Sequence, residues 1–227
     1  AVHGPADATR VLMTTSAVHG IEGFCGSAIQ TGLLQNLTLP PGVAVVHVHA
    51  VNPHGFSHAR RVNEDNVDLN RNFIDFSQPL PVNADYAQVH ELLLPTHWPP
   101  SPEANAALQD QADAWGERRM QRAITSGQYQ FPDGVWFGGL APTWSQRSFR
   151  QVLKDHLGQA RQIAWIDLHT GLGPHGHGER IFACTDTGPT LQRARQLAPH
   201  TAVSIQLAHA GRKASSALPW EGAQLLS

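Results

Sequence analysis

Residues 10–23, RVLMTTSAVHGIEG, decide the predicted fold. Positions 10–18 are rich in apolar and β-branched residues, which predicts a buried strand. Two glycines then bracket a turn, and the apolar residues between Phe24 and Leu37 have helical spacing. The stretch therefore predicts a strand, a turn and a helix in succession. His19 lies at the carboxyl end of the strand, where open α/β sheets place their functional sites.

Strand-like and helix-like segments alternate along the rest of the chain. Residues 160–168 predict a second buried strand, which His169 follows, and residues 43–51 predict a third. Helices are predicted over residues 84–94, 103–125 and 143–157. This alternation predicts an α/β fold in which helices flank a mixed central sheet.

Two imidazoles and a carboxylate follow the predicted strands. His19 and Glu22 lie in the first turn, and His169 lies after the second strand. Two histidines and one carboxylate form the ligand set of an open catalytic zinc site, in which water takes the fourth position. The pair His19-x-x-Glu22 alone is weak, because 14 histidines and seven glutamates give about 0.4 such pairs by chance. The alternative for each histidine is a turn or loop residue without a metal. Asp167 and Thr170 flank His169, and we expect them to orient it.

A third segment, residues 60–73, carries three arginines and several amides. Arginine binds carboxylates through two parallel hydrogen bonds, and it can also stabilise an oxyanion. The alternative is a solvated charged loop. The placement of Asn70 and Arg71 between Leu69 and Phe73 favours a functional role over that alternative.

Three segments together resemble a known family. HGIEGFCGSAIQ (19–30), HAVNPHGFSHARRVNEDNVDLNRNF (49–73) and DLHTGLGPHGHGE (167–179) resemble the DUF2817 branch of the zinc carboxypeptidase (M14-like) superfamily. The chain is also similar to the aspartoacylase and succinylglutamate desuccinylase branch. The resemblance covers about residues 5–198. It implies a zinc carboxypeptidase-like fold, with a mixed sheet between helices.

The resemblance implies a function and assigns residues to it. The zinc ligands would be His19, Glu22 and His169. Asn70 and Arg71 would bind the terminal carboxylate of the substrate, and Arg61, or less favourably Arg60, would polarise the scissile carbonyl. The implied activity is zinc-dependent hydrolysis of an amide bond in a small molecule or peptide with a free carboxylate. A carboxypeptidase and an N-acyl amino acid deacylase both fit this description.

One element that the resemblance requires is missing. The superfamily uses a glutamate on a late strand as general base, expected here in a Glu-aromatic-Gly-Thr type segment, and the sequence contains no such segment. Glu179 and Glu221 are the only glutamates after His169, and neither matches the expected position. We therefore expect metal binding with impaired hydrolysis. The alternative is a non-catalytic zinc-binding fragment.

The last segment of the sequence resembles a family other than the one named above. Residues 204–222, SIQLAHAGRKASSALPWEG, resemble a short piece of the Old Yellow Enzyme family, in which Gln206 would contact the flavin. The predicted division is a truncated carboxypeptidase-like domain over residues 1–200 and a foreign tail over 201–227. An FMN-dependent ene-reductase is the alternative function, but its (β/α)₈ barrel needs about 250 residues.

Composition and charge argue against several kinds of partner and against a disulfide-rich fold. The net charge of -2 and the absence of basic clusters argue against a nucleic-acid partner. No apolar run in the sequence reaches the length of a membrane helix, so we expect no membrane partner and a cytoplasmic location. Two cysteines do not predict a disulfide framework. The oligomeric state is left open.

Overall fold

The computed structural model describes residues 1–171, the backbone of the strand Gln206–His209, and the isolated residues 176, 178, 192 and 196. The chain divides into two compact units. The first comprises Ala1–Arg61 and Ser148–Ser227, and the second comprises Val62–Arg147.

The first unit is built on a mixed sheet. Its five described strands have the order β1-β3-β2-β4-β5. The pairing of β1 with β3 is antiparallel, and the other three pairings are parallel. The predicted mixed sheet is therefore confirmed. The strands are β1 (Val2–His3), β2 (Arg10–Ser16), β3 (Val43–Val48), β4 (Gln162–Thr170) and β5 (Gln206–His209).

The register of β2 and β4 brings the two predicted metal-ligand segments together. Thr15 lies opposite Asp167, and Ser16 lies opposite Leu168. Because the two strands are parallel, their carboxyl ends meet at one edge of the sheet. His169 belongs to β4 itself, so the prediction that this strand ends at residue 168 is wrong by two residues. It is prolonged because β4 pairs with β5 there, His169 lying opposite Ala208.

The turn after β2 is held by close backbone packing. It forms a short 3₁₀ helix, Gly20–Glu22, which leads directly into α1 (Gly23–Asn36). A Cβ atom on Gly20 would lie 2.0 Å from the carbonyl carbon of Gly55 in α2 (Pro53–Ser57). A Cβ atom on Gly23 would lie 2.4 Å from the Cβ atom of Ala17. These glycines let the chain turn tightly after β2, which fixes the side chain of Glu22 near the end of the sheet.

The face of β2 toward α1 carries polar side chains, and these side chains are hydrogen-bonded. The side chain of Gln30 in α1 donates to the hydroxyl of Thr14 (3.0 Å) and accepts from the hydroxyl of Ser16 (2.8 Å). Thr14 also contacts Nδ1 of His47 at 2.8 Å. Since all four side chains are buried, these hydrogen bonds fix α1 on β2.

The second unit contains helices. They are α3 (Leu69–Asn72), α4 (Ala84–Leu93), α5 (Pro102–Trp115), α6 (Glu117–Thr125) and the first residues of α7 (Trp144–Leu157), which continues into the first unit. The single helix predicted over residues 103–125 is in fact two helices. Gly116 separates them with a φ of 76°, a conformation that a helix does not tolerate.

Asn72 holds the loop before α7. Its side-chain amide donates to the carbonyl oxygens of Gly138 (2.8 Å) and Ala141 (3.0 Å), and its oxygen accepts from the backbone N–H and hydroxyl of Thr143, both at 3.0 Å. All four hydrogen-bonding positions of the amide group are therefore used. Among the described residues, no helix is both long and apolar enough to cross a membrane.

Candidate metal centre

His19 and Glu22 come together across the 3₁₀ turn. The Nδ1 atom of His19 lies 3.3 Å from Oε1 of Glu22. The turn is fixed by backbone hydrogen bonds, because the N–H of Gly20 donates to the carbonyl of Arg61 and that of Glu22 donates to the carbonyl of His19. Both side chains are therefore held by a locally rigid backbone.

His169 completes the cluster from β4. Its Nδ1 atom lies 3.0 Å from Oε2 of Glu22, and the backbone N–H of Thr170 donates to the same oxygen at 3.1 Å. The rings of His19 and His169 meet edge to face, with centroids 5.0 Å apart. Both histidines are about 95% buried. The sequence thus predicted correctly that these three side chains converge.

The donor atoms of these three residues form a group that could hold a metal ion. One ligand atom from each of His19, Glu22 and His169 lies within 4.8 Å of the other two. Zinc ligands lie about 2.0–2.2 Å from the ion, so two ligands of a tetrahedral site are separated by about 3.3 Å. The Nδ1 atoms of His19 and His169 lie 3.3 Å and 3.0 Å from the two different oxygens of Glu22, which is close to that separation. Two imidazoles and one carboxylate are also a donor set that zinc accepts.

Asp167 contacts the second ring nitrogen of His169. Its Oδ2 atom lies 2.6 Å from Nε2 of His169. A carboxylate on Nε2 keeps the hydrogen there and turns Nδ1 toward Glu22, an arrangement that metal-binding histidines use often. Asp167 therefore has the orienting contact that we predicted. Thr170 contacts Glu22 through its backbone rather than His169.

The cluster has strongly shifted acidities. Burial alone would raise the pKa of Glu22, but hydrogen bonds from His169 and His19 outweigh burial and hold that pKa well below its usual range. Burial alone would lower the pKa of His169, yet hydrogen bonds to Asp167 and Glu22 raise it to about 10. Glu22 is thus a carboxylate at neutral pH, whereas His169 must give up the proton on Nδ1 before that atom can bind a metal ion.

Arg61 brings a guanidinium group to the cluster. Its Nη2 atom lies 2.9 Å from Nε2 of His19, and its Nη1 atom lies 3.6 Å from Oε1 of Glu22. The Arg61 side chain is 37% exposed, so one part of it reaches solvent. Arg60 is exposed and contributes its backbone carbonyl, which accepts from the N–H of Ile21 at 3.0 Å. Of the two candidate arginines, Arg61 is the one placed beside the cluster.

The predicted carboxylate-binding pair lies in the second unit. Asn70 is exposed in α3, where its backbone N–H donates to Oδ1 of Asp68. The Nη2 atom of Arg71 donates to the carbonyl of Thr125 at 2.6 Å. Its Nε atom is buried and has no hydrogen-bond partner among the residues that the structure describes. Arg71 thus has unused hydrogen-bonding capacity, and the carboxylate role of both residues stays a prediction.

Two further residues of the site could not be found from the sequence. The hydroxyl of Thr15 donates to Oδ1 of Asp167 at 2.5 Å, and the indole N–H of Trp165 donates to that hydroxyl at 3.0 Å. These two residues could be predicted only from the register of β2 and β4, which pairs Thr15 with Asp167. Sequence periodicity predicts strands but does not fix their register.

Several predicted features fall outside the described residues. These are the two late glutamates, Glu179 and Glu221, and the tail, of which only the backbone of Gln206–His209 is described. Cys25 is a free cysteine in the half-buried part of α1, and burial raises the pKa of its thiol.

A family comparison identifies the chain. Residues 1–225 match the model of a family described as a protein of unknown function, DUF2817. The chain belongs to the DUF2817 family. The match continues through nearly all of residues 201–227, and nothing in the comparisons supports the predicted likeness of that tail to Old Yellow Enzyme. The division at residue 200 stays a prediction.

No curated protein matches the DUF2817 chain. Among solved structures, it is similar to the crystal structure of carboxypeptidase A from Helicoverpa armigera, with 17% sequence identity and a TM-score of 0.40. The similarity covers 76% of this chain and 37% of that one, so this chain spans little more than a third of its neighbour.

Proposed function

We propose that this DUF2817 chain is a zinc-dependent hydrolase of amide bonds that acts on a substrate with a free carboxylate. The observation that carries the proposal is the convergence of His19, Glu22 and His169, whose donor atoms lie within 4.8 Å of one another in a buried cluster. Strongly shifted pKa values in one buried cluster of ionisable side chains are typical of functional sites such as metal centres.

Each residue of the cluster has a part in this proposal. A zinc ion held by these three ligands would supply Lewis acidity toward an amide carbonyl and would lower the pKa of a bound water to near neutrality. Glu22 provides the negative charge that offsets part of the charge of the ion. His169 presents Nδ1 to the ion because its Nε2 atom is held by Asp167.

Arg61 would stabilise the negative charge that develops on the substrate carbonyl oxygen. Its guanidinium lies within 3.6 Å of Glu22 and is partly exposed, so it can reach both the cluster and a bound substrate. A donor of this kind contributes about 10²- to 10³-fold to turnover. In the same proposal Asn70 and Arg71 bind the substrate carboxylate, because amide and guanidinium groups both donate hydrogen bonds to carboxylates.

Hydrolysis also needs a group that accepts a proton from water and returns it to the leaving nitrogen, which contributes about 10²- to 10⁴-fold. Glu22 is proposed as a metal ligand, so it is not assigned to this proton transfer. No other residue of the described cluster is assigned to it. We therefore expect zinc binding with weak hydrolysis. The substrates to assay are peptides with a free carboxyl terminus and N-acyl amino acids, because both present an amide beside a carboxylate.

The test measures bound zinc per chain after dialysis against trace zinc. We expect one zinc in the wild type and a loss of it in Glu22→Gln and His169→Ala. The matched control is the double variant His54→Ala/His58→Ala, which removes two stacked histidines, one in α2 and one directly after it, with ring centroids 4.2 Å apart. Zinc retained by both cluster variants but lost from this control would overturn the proposal.

A second measurement addresses the substrate class. Hydrolysis of N-acyl amino acids and peptides should exceed that of matched amides whose carboxylate is replaced by a carboxamide. Equal rates on the acid and the carboxamide would mean that no carboxylate is recognised.

A further inference from the structure

The hydrogen bonds on one face of the sheet form a chain that ends at His169. Trp165 and Asp167 are two residues apart on β4 and so project from the same face. Thr15 lies opposite Asp167 on β2 and is completely buried. The strand register thus places the three side chains in contact beside the metal cluster.

The direction of each hydrogen bond follows from the groups involved. An indole N–H only donates, so the hydroxyl oxygen of Thr15 accepts from Trp165 at 3.0 Å. The single hydroxyl hydrogen of Thr15 then goes to Oδ1 of Asp167. Oδ2 of Asp167 is left to accept from Nε2–H of His169 at 2.6 Å. Every hydrogen in the chain has one acceptor, and Nδ1 of His169 is the atom that faces Glu22.

We propose that Thr15, supported by Trp165, is a positioning residue: it fixes the carboxylate of Asp167 and thereby presents Nδ1 of His169 to the metal ion. This inference rests on the proposed function, because it concerns the same site. It adds that the accuracy of the site depends on a buried hydroxyl one strand away from the ligand. Without the Thr15 hydroxyl, Asp167 loses the contact that holds Oδ1 and can rotate about its terminal torsion, whose rotamers are broad.

The neighbouring residue Thr14 provides a matched control. Thr14 and Thr15 are both buried on β2, but Thr14 projects from the opposite face and bonds to Gln30 and His47. Changing either threonine to valine removes one buried hydroxyl from the same strand. The cost in folding stability should therefore be comparable, whereas only Thr15 touches Asp167.

The experiment measures the zinc dissociation constant by chelator competition in Thr15→Val, Thr15→Ser and Thr14→Val. Loss of a partner that orients a metal ligand typically weakens metal binding by about 10- to 100-fold. We expect Thr15→Val to bind zinc about tenfold more weakly than the wild type. Thr15→Ser should bind zinc within about threefold of the wild-type affinity, and Thr14→Val should change the affinity by less than about twofold. The visible absorption bands of the cobalt(II)-loaded chain should shift in Thr15→Val and not in Thr14→Val.

The outcomes separate the two proposals. If the wild type binds no zinc, the proposed function fails and this inference fails with it. If the wild type binds zinc and both valine variants weaken it equally, or neither does, Thr15 has no positioning role while the proposed function stands. If Thr15→Val does not fold, Trp165→Phe tests the same chain at a side chain that is 45% exposed. Unchanged zinc affinity and cobalt spectra in that variant would then overturn the inference.

Discussion

Adding one methyl group at Gly23 should disturb both the fold and the metal centre. The Cβ atom of an alanine there would lie 2.4 Å from Cβ of Ala17 and 2.7 Å from Cδ2 of Phe56. Carbon atoms in contact are normally about 3.5–4.0 Å apart, so α1 must move by about 1 Å. Gly23 directly follows Glu22, and its φ of -63° is already helical, so the effect is steric and not conformational.

The magnitude follows from two opposing terms. Overpacking costs about 1–3 kcal/mol, and the higher helix propensity of alanine returns up to about 1 kcal/mol. The net loss of about 1–2 kcal/mol should lower Tm by about 2–8 °C for a chain of this size. A displacement of Glu22 by about 1 Å would also disrupt its contacts of 3.3 Å and 3.0 Å with the two histidines. Zinc affinity should therefore fall at least about tenfold, which is the usual loss when a metal ligand is no longer held in its orientation.

Gly32 in the same helix is the matched control. A Cβ atom there meets nothing within 4 Å. Gly32→Ala should therefore raise the free energy of unfolding by about 0.5–1 kcal/mol through helix propensity alone and leave zinc affinity unchanged. Thermal unfolding and chelator competition measure both quantities. The reasoning is refuted if Gly23→Ala behaves like Gly32→Ala in both assays.

The remaining predictions concern pH, the arginines and the proton-transfer group. Burial raises the pKa of Tyr86 to about 12, so the folded state holds its phenolic proton longer than the unfolded chain. The free energy of unfolding should therefore fall between pH 10 and pH 12, by about 2–3 kcal/mol from Tyr86, and Tyr86→Phe should reduce that decline in alkaline unfolding curves. Part of the decline should remain in this variant, because burial also raises the pKa of Tyr129. In a DUF2817 protein with measurable hydrolysis, the residue matching Arg71 should raise KM when changed to alanine, whereas the match of Arg61 should lower kcat; equal small effects would indicate a charged surface loop. Zinc-dependent hydrolysis by this chain that Glu179→Gln abolishes would make Glu179 the general base and contradict the expectation of weak activity.

Local patterns predicted the parts of the fold that depend on local physics. The strand, turn and helix over residues 10–36 form as expected, because the apolar run, the glycines and the helical spacing lie within one stretch. The convergence of His19, Glu22 and His169 could be predicted because parallel strands end at one edge of a sheet. The helix break at Gly116 was missed because an isolated glycine in a helical pattern is often tolerated.

Features that depend on register could not be predicted. The contact of Thr15 with Asp167 exists only because β2 and β4 pair with that alignment across 152 residues of sequence. The polar run Thr14-Thr15-Ser16 gives no sign that alternate hydroxyls contact α1 and Asp167 beside the candidate metal centre. The extension of β4 through His169 likewise depends on its pairing with β5, which is not a local property.

The most direct test of the zinc site is a crystal structure of the zinc-loaded chain with anomalous scattering measured at the zinc edge. One anomalous peak should lie about 2.0–2.2 Å from Nδ1 or Nε2 of His19, the carboxylate of Glu22 and Nδ1 of His169. The Nε2 atom of His169 should remain on Asp167. A peak at another site, such as His54 and His58, or no peak between the three predicted ligands at saturating zinc, would contradict the proposed metal centre.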